Sequence, residues 1–215
     1  LAAALLVLYD VSEARAEKGN HLSSRLYQGV AVSVGGDESA ASLSIDGGPA
    51  HHEDSYINAS INAAYVQGLL PHFGVGLFAG FGSANTFWSY YRDESRTRAQ
   101  LALGPVFVSE LPGTNGIEWR VGIPIGYSLA WYEPAKGRAV EDTYANAHGM
   151  NAAVVVGADI VGRHHGGFID LAYSFHLTWL THTATLRSDA SVHVAESYRY
   201  FERTLALGGG YVYQF

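Results

Sequence analysis

Between Ile117 and Tyr132 the chain reads IEWRVGIPIGYSLAWY, and large apolar residues fill alternate positions: Ile117, Trp119, Val121, Ile123, Ile125, Tyr127, Leu129 and Trp131. Between them stand Glu118, Arg120, Gly122, Pro124, Gly126, Ser128 and Ala130, all small or charged. A helix returns an apolar residue to one face every three or four positions. Period two sustained over this length belongs to an extended strand with two unlike faces. The chain is thereby restricted to sheet, and the open question is which face points inward.

The same alternation recurs at Val30–Val34, Ile57–Tyr65, Phe73–Phe81, Leu101–Phe107, Met150–Ile160, Ile169–Trp179 and Leu205–Phe215, which makes eight strands with the opening stretch. The connections alternate too. Those at 67–72, 110–116 and 162–166 are short and rich in Gly, Pro and polar residues, whereas 37–54, 83–98, 133–147 and 183–197 are long and polar. Short turns at one end and long loops at the other are the layout of an up-and-down transmembrane barrel. Segments 37–54 and 183–197 themselves alternate in part, so strands are expected to project past the bilayer there. A ten-stranded ring follows if 37–54 adds a hairpin of its own.

Composition decides the face. Charged residues make up 15% of the chain, against about a quarter in ordinary soluble domains, and there are 25 glycines. The face opposite the large residues is therefore Gly, Ala, Ser and Asn with scattered charges. That is too small and too sparsely charged for a solvated exterior, and it suits the narrow lumen of eight strands. The large face then meets lipid, and ring closure gives each backbone N–H and C=O the partner that hydrocarbon cannot supply. The expected fold is all-β: a closed antiparallel barrel. Tyr65, Phe73 and Trp119 would mark one membrane interface, and Tyr127, Trp131 and Trp179 the other. Pro105 and Pro124 lie roughly diagonal to one another in neighbouring strands, where neither can donate to a ladder, and a local bulge is expected there.

Other classes fall away. A net charge of −7 with no basic run argues against nucleic acid, and the absence of Cys excludes disulfides and thiolate sites. No apolar run reaches the length of a transmembrane helix. LAAALLVL (1–8) followed by Ala14-Arg15-Ala16 reads as a signal peptide over 1–16, which leaves 17–215 as a single barrel domain.

The ending LALGGGYVYQF resembles the terminal strand of the bacterial outer-membrane β-barrel superfamily, with Phe215 last and Tyr213, Tyr211 and Leu207 at every second position before it; Gly209 is the weak member. The architecture is similar to small eight-stranded members, such as the transmembrane domain of outer membrane protein A. The resemblance implies residence in the outer membrane, with long loops extracellular and short turns and the carboxyl end periplasmic. It also implies recognition of Tyr211, Tyr213 and Phe215 by the barrel-assembly machinery. Outer-membrane lipids and lipopolysaccharide would be the surrounding partners, and the protein is expected to be a monomer.

Candidate chemistry lies mainly in the lumen. Gln100, Glu118, Arg120, Asp159, Asp170 and His176 share the inward parity and are expected to form a polar network that fills it, since buried charges need partners. Asp170, His176, Thr178 and His182 share one face of the seventh strand, the parts list of acid–base or nucleophilic catalysis. The stretch FHLT is similar to the His-x-Ser element of lipid A deacylases. However, Thr178 stands in place of Ser, and no matching Glu can be assigned. HHED (51–54) and His164-His165 carry metal-ligand residue types without a fixed spacing from further ligands, so neither metal nor cofactor is expected. Arg92, Arg96 and Arg98 fall in the second long loop. Arg199 and Arg203 fall at the start of the last strand, where Arg203 could snorkel to lipopolysaccharide phosphates. The expected role is structural or surface-interacting, without intrinsic catalysis. A lipid A-modifying acyl hydrolase and a narrow channel for small or hydrophobic solutes are the alternatives.

Overall fold

A computed structural model describes residues 22–41, 51–86, 95–114, 116–133, 140–186 and 188–215. Every alternating stretch is a strand: β1 (Arg25–Ala41), β2 (His51–Leu70), β3 (Phe73–Thr86), β4 (Ser95–Glu110), β5 (Ile117–Gly122), β6 (Ile125–Glu133), β7 (Val140–Val161), β8 (His165–Leu186) and β9 (Asp189–Gln214). All pairings are antiparallel, and every strand pairs with its chain neighbours except β5 with β6. β1 returns to β9 from Arg25↔Gln214 through Ala41↔Tyr198, which closes the ring.

β5 and β6 are two halves of one strand. β4 pairs with both, Val106↔Gly122 on one side of the break and Leu103↔Ile125 on the other, and β7 does likewise with Val155 and Ala152. Two residues separate these pairs on each strand, so the register passes through unchanged and the expected bulge is absent. What remains is a gap in the ladder, since neither Pro105 nor Pro124 has an N–H to donate. It is partly filled by Ile123 N–H to Pro105 O (3.0 Å) and Ala153 N–H to Pro124 O (2.9 Å). Gly104 belongs here for a steric reason: a Cβ would lie 2.1 Å from the Ile123 carbonyl oxygen. The ring therefore has eight strands.

The ten-strand alternative fails on register. β1 and β2 pair directly up to Ala40↔His51, so both arms of 37–54 extend one existing hairpin; its tip, 42–50, lies outside the described residues. The long connections also contain more strand than the alternation marks. HHED lies within β2, and β8 and β9 pair as far as Leu186↔Asp189, so most of 183–197 is strand. The expected signal peptide, 1–16, lies outside the described residues. At the other end the turns are tight. Gly113 and Gly116 have φ of 82° and 78°, a region that side chains disfavour.

The faces fall as the parity requires. Val30, Val32, Val34, Ile61, Leu101, Leu103, Ile125, Leu171 and Leu207 are exposed on the outside, while Val66, Val106, Val212, Arg120 and Asp159 are buried within. Leu22, Tyr27, Val66, Val106, Val108 and Val212 form an apolar cluster in the lumen at the short-turn end. The segment before β1 is tied to both neighbouring strands, with Leu22 N–H donating to Leu70 O (2.9 Å) and Phe215 N–H to Ser24 O (3.0 Å).

An outward apolar face predicts an unusual mutational response. Leu103→Arg, at a side chain 58% exposed, is expected to cost about 2–4 kcal/mol of folding stability in lipid vesicles, because the site faces hydrocarbon. A water-facing leucine would tolerate the change within about 0.5 kcal/mol. Urea titration in vesicles distinguishes the two.

Candidate functional site in the barrel interior

The inward face of β5 presents Glu118 and Arg120, and β7 sets Asp159 directly opposite Glu118 in register. Two carboxylates facing each other across a strand pair repel. The structure resolves this with a cation from the far wall. Arg25 of β1 pairs with Glu118 and with Asp159 (Nη1–Oδ2 3.2 Å). In a ring of eight, β1 and β5 stand four strands apart, so the Arg25–Glu118 pair spans the full diameter.

Arg120 completes the cluster. Its Nε donates to Asp159 (3.3 Å) and its Nη2 to Asp170 of β8 (2.7 Å). The latter bond passes over β7 at Gly157, the register partner of both Arg120 and Asp170. A Cβ on Gly157 would lie 2.1 Å from Asp170 Oδ1 and 3.2 Å from Arg120 Nη2, so the bond requires glycine there. Tyr27 donates its hydroxyl to Asp159 at 2.7 Å. Its ring carries the Arg120 guanidinium 4.2 Å from the centroid, and Phe168 contacts both. Asp159 is 0% exposed and Arg25 and Arg120 are each 2% exposed. Two cations and a phenol thus hold three carboxylates in an interior where an unpaired charge would cost several kcal/mol.

A second bridge spans the lumen further towards the long hairpins. Arg98 of β4 pairs with Glu202 of β9, again four strands apart in the ring. Between the two bridges lies a cavity of about 200 Å³. Tyr27, Phe78, Phe168, Arg120 and Asp170 line it towards one bridge, and Arg98 and His176 towards the other, with Asn58, Asn62, Gln100 and Asn151 in its walls.

Of the residues singled out from sequence, Glu118, Arg120, Asp159 and Asp170 come together. Gln100 does not join them. β4 sets Glu110 opposite Glu118 and Val108 opposite Arg120, while Gln100 faces Ser128 well up the barrel. His176 also lies in the cavity wall, in register with Glu202. Six residues, about 20 Å of strand, part Asp170 from His176, so the three candidate catalytic groups do not form one site. His176 and Thr178 are buried in the lumen, Thr178 to 1% exposure. The side chains of His182, HHED and Arg96, and all of Arg92, lie outside the described residues. Among the described residues no three His, Asp or Glu gather as metal ligands. His164 and His165 instead bond Gln214 O and the Tyr211 hydroxyl.

Trp119, Tyr127 and Trp131 are exposed on the outer face, and Trp179 is half-buried there. Phe73 packs on Phe107. Tyr65 is only 7% exposed and packs edge-on against Phe215. Sequence reasoning missed Arg25, Tyr27 and Glu202. The first two share the parity of Gly29, Ala31 and Ser33, so extending the first alternation four residues backwards reaches them.

No protein-family model and no curated protein sequence matches the chain. Among solved structures, it is similar to the outer membrane protein OprG from Pseudomonas aeruginosa, with a TM-score of 0.58 at 12% identity over 92% of this chain and 98% of that one. It is also similar to the outer membrane protein AlkL, whose structure was determined in lipid bilayers, with a TM-score of 0.51 at 15% identity over 92% and 93%. The fold is that of the small outer-membrane β-barrels. With its closed ring and apolar outer face, the chain is an eight-stranded antiparallel barrel of that fold.

The ion cluster carries a prediction for stability. Arg120→Met, which takes the cation from Asp170 and leaves Asp159 with Arg25 and Tyr27, is expected to cost about 3–5 kcal/mol. Gln100→Met, outside the cluster, is expected to cost far less. Paired urea titrations test this; equal losses would mean that the cluster has no special weight.

Proposed function

We propose that the protein is a monomeric, non-conducting barrel whose lumen is plugged and whose work is done at its outer surface, without catalysis. The observation that carries this reading is the buried cluster of Arg25, Glu118, Arg120, Asp159 and Asp170, tied to opposite walls of the ring. A filled lumen of eight strands has no room for a water column past such a cluster. The orientation that fits places Phe215 and the short turns in the periplasm and the long hairpins outside, with Tyr211, Tyr213 and Phe215 read by the assembly machinery. Acyl hydrolysis finds no support in the geometry, because His176 and Thr178 face the lumen while acyl chains lie against the opposite face.

A second reading rests on the cavity of about 200 Å³, which is large enough for a small solute and has Phe78 and Phe168 in its lining. Entry and exit through it would make a narrow channel. Planar-bilayer recording separates the readings: the plugged barrel is expected to stay silent, and steady discrete conductance from the unaltered protein favours the channel. Lipid A from cells with and without the protein is expected to give identical mass spectra; a missing acyl chain would restore the hydrolase.

A further inference from the structure

The barrel interior does not balance its own charge. Arg98 and Glu202 cancel as a pair. In the cluster nearer the short turns, Arg25 and Arg120 meet three carboxylates, Glu118, Asp159 and Asp170. Among the described residues no further Lys or Arg side chain turns into the lumen, so one negative charge is left over. His176 does not offset it, because it stands in register with Glu202, about 20 Å of strand from Asp170. A buried charge without its counter-charge is destabilising where screening is poor.

The surplus is most accessible at Asp170. Asp159 is held by Arg25, Arg120 and Tyr27 together. Asp170 takes its hydrogen bond from Arg120 on Oδ1, and its Oδ2 accepts none among the described residues. The Asp170 side chain is 19% exposed and borders the cavity of about 200 Å³. Across that cavity, four strands away in the ring, stands Phe78 of β3, and Phe168 lies two residues from Asp170 on β8 itself. Glycines leave room for both rings: a Cβ on Gly76 would lie 2.6 Å from Phe78, and one on Gly29 would lie 2.7 Å from Phe168. The Arg120 guanidinium already rests 4.2 Å from the Tyr27 centroid and 5.6 Å from that of Phe168. Among the described residues, Phe78 carries no such cation. Further towards the long hairpins the cavity wall offers neutral amides. Asn151 is only 7% exposed, and its Nδ2 has no hydrogen-bond partner; nor has the buried Oδ1 of Asn58.

We infer that this cavity binds a small organic monocation, with its ammonium head between Asp170 and the Phe78 ring and its uncharged polar tail towards the amides. The carboxylate supplies the counter-charge, and an aromatic ring attracts an organic ammonium group strongly once water is excluded. A metal ion is a poorer fit, because it needs several oxygen ligands and no such set gathers among the described residues. A zwitterion would bring a further carboxylate into a lumen that already has one too many. The site goes beyond the surface role proposed above, and it stands whether or not the lumen conducts.

Equilibrium dialysis tests this on the full chain, refolded from urea into detergent micelles with the probe present and read against empty micelles. Refolding around the probe removes any barrier to entry. The probes are choline, its uncharged isostere neohexyl alcohol, in which carbon replaces the nitrogen, and the zwitterion glycine betaine. Choline is expected to bind once per chain and at least about tenfold more tightly than either of the others. Asp170→Asn is expected to weaken choline by about tenfold or more while leaving the alcohol unchanged. Phe78→Leu, which alters no charge, is expected to weaken choline by about tenfold. Choline bound no better than the alcohol or the betaine overturns the inference, as does undiminished choline binding by the Asp170→Asn protein. Displacement of choline by an equal concentration of sodium chloride also overturns it, since any counter-ion would then serve. Should the variants fail to fold, the comparison of the three probes on the unaltered protein still decides the matter.

Discussion

A sheet in hydrocarbon cannot leave an edge. Each unpaired N–H or C=O costs several kcal/mol where no water can reach it, so the strands must return on themselves. Here the closure is the pairing of β1 with β9 over the whole length of β1. Everything else in the molecule follows from that ring. Eight strands fix a narrow interior, period-two geometry sends alternate side chains into it, and the outward set is left to match the lipid. The same constraint explains why the ladder gap at Pro105 and Pro124 stays small, since its flanking pairs keep their register and two backbone bonds partly fill it.

A narrow lumen turns packing into electrostatics. Most inward positions are small, and Leu22, Val66, Val106 and Val212 pack the short-turn end. The few charges therefore sit in a medium that screens them poorly, and each must be met by its counter-charge at contact. Cross-strand neighbours cannot do this alone, because Glu118 stands beside Asp159 and Arg120 beside Gly157. The solution is to reach across the ring, Arg25 to Glu118 and Arg98 to Glu202. Ties between opposite walls hold the cross-section in a way that no pair on neighbouring strands can.

The two-faced strand was legible from sequence because parity is a local property. Each alternation reports its own faces without reference to the rest of the chain, and the sum of eight reports the barrel. Contacts across the lumen are not local. Glu118, Arg120, Asp159 and Asp170 could be listed as inward-facing, but which of them meet depends on stagger between strands. That is why Gln100 was grouped with Glu118, although β4 carries it to Ser128. Arg25 and Tyr27 were missed because the first strand begins before its alternation becomes obvious. Pro105 and Pro124 suggested a bulge, and only the register on both flanking strands shows that none is present. At 37–54 and 183–197 the partial alternation was enough to expect projecting strands, which the pairing of β1 with β2 and of β8 with β9 bears out, but not their full extent, because polar strand beyond a bilayer lacks the apolar half of the signal.

Parity also determines which residues can reach which partners. His176 and Thr178 have the chemistry for acyl transfer, yet their positions on β8 turn them into the lumen, away from acyl chains. Phe175 and Trp179, one position away, face outward. On β9 the same rule places Glu202 inside, where it holds Arg98, and sets Arg199 and Arg203 outside, one on either side of it in the chain. A shift of one residue in either strand would exchange these sets, presenting the histidine to lipid and burying the arginines in the lumen. The register of β8 on β9, Trp179 opposite Arg199 and Phe175 opposite Arg203, is therefore what separates an interior of paired charges from an exterior rich in aromatic and aliphatic side chains.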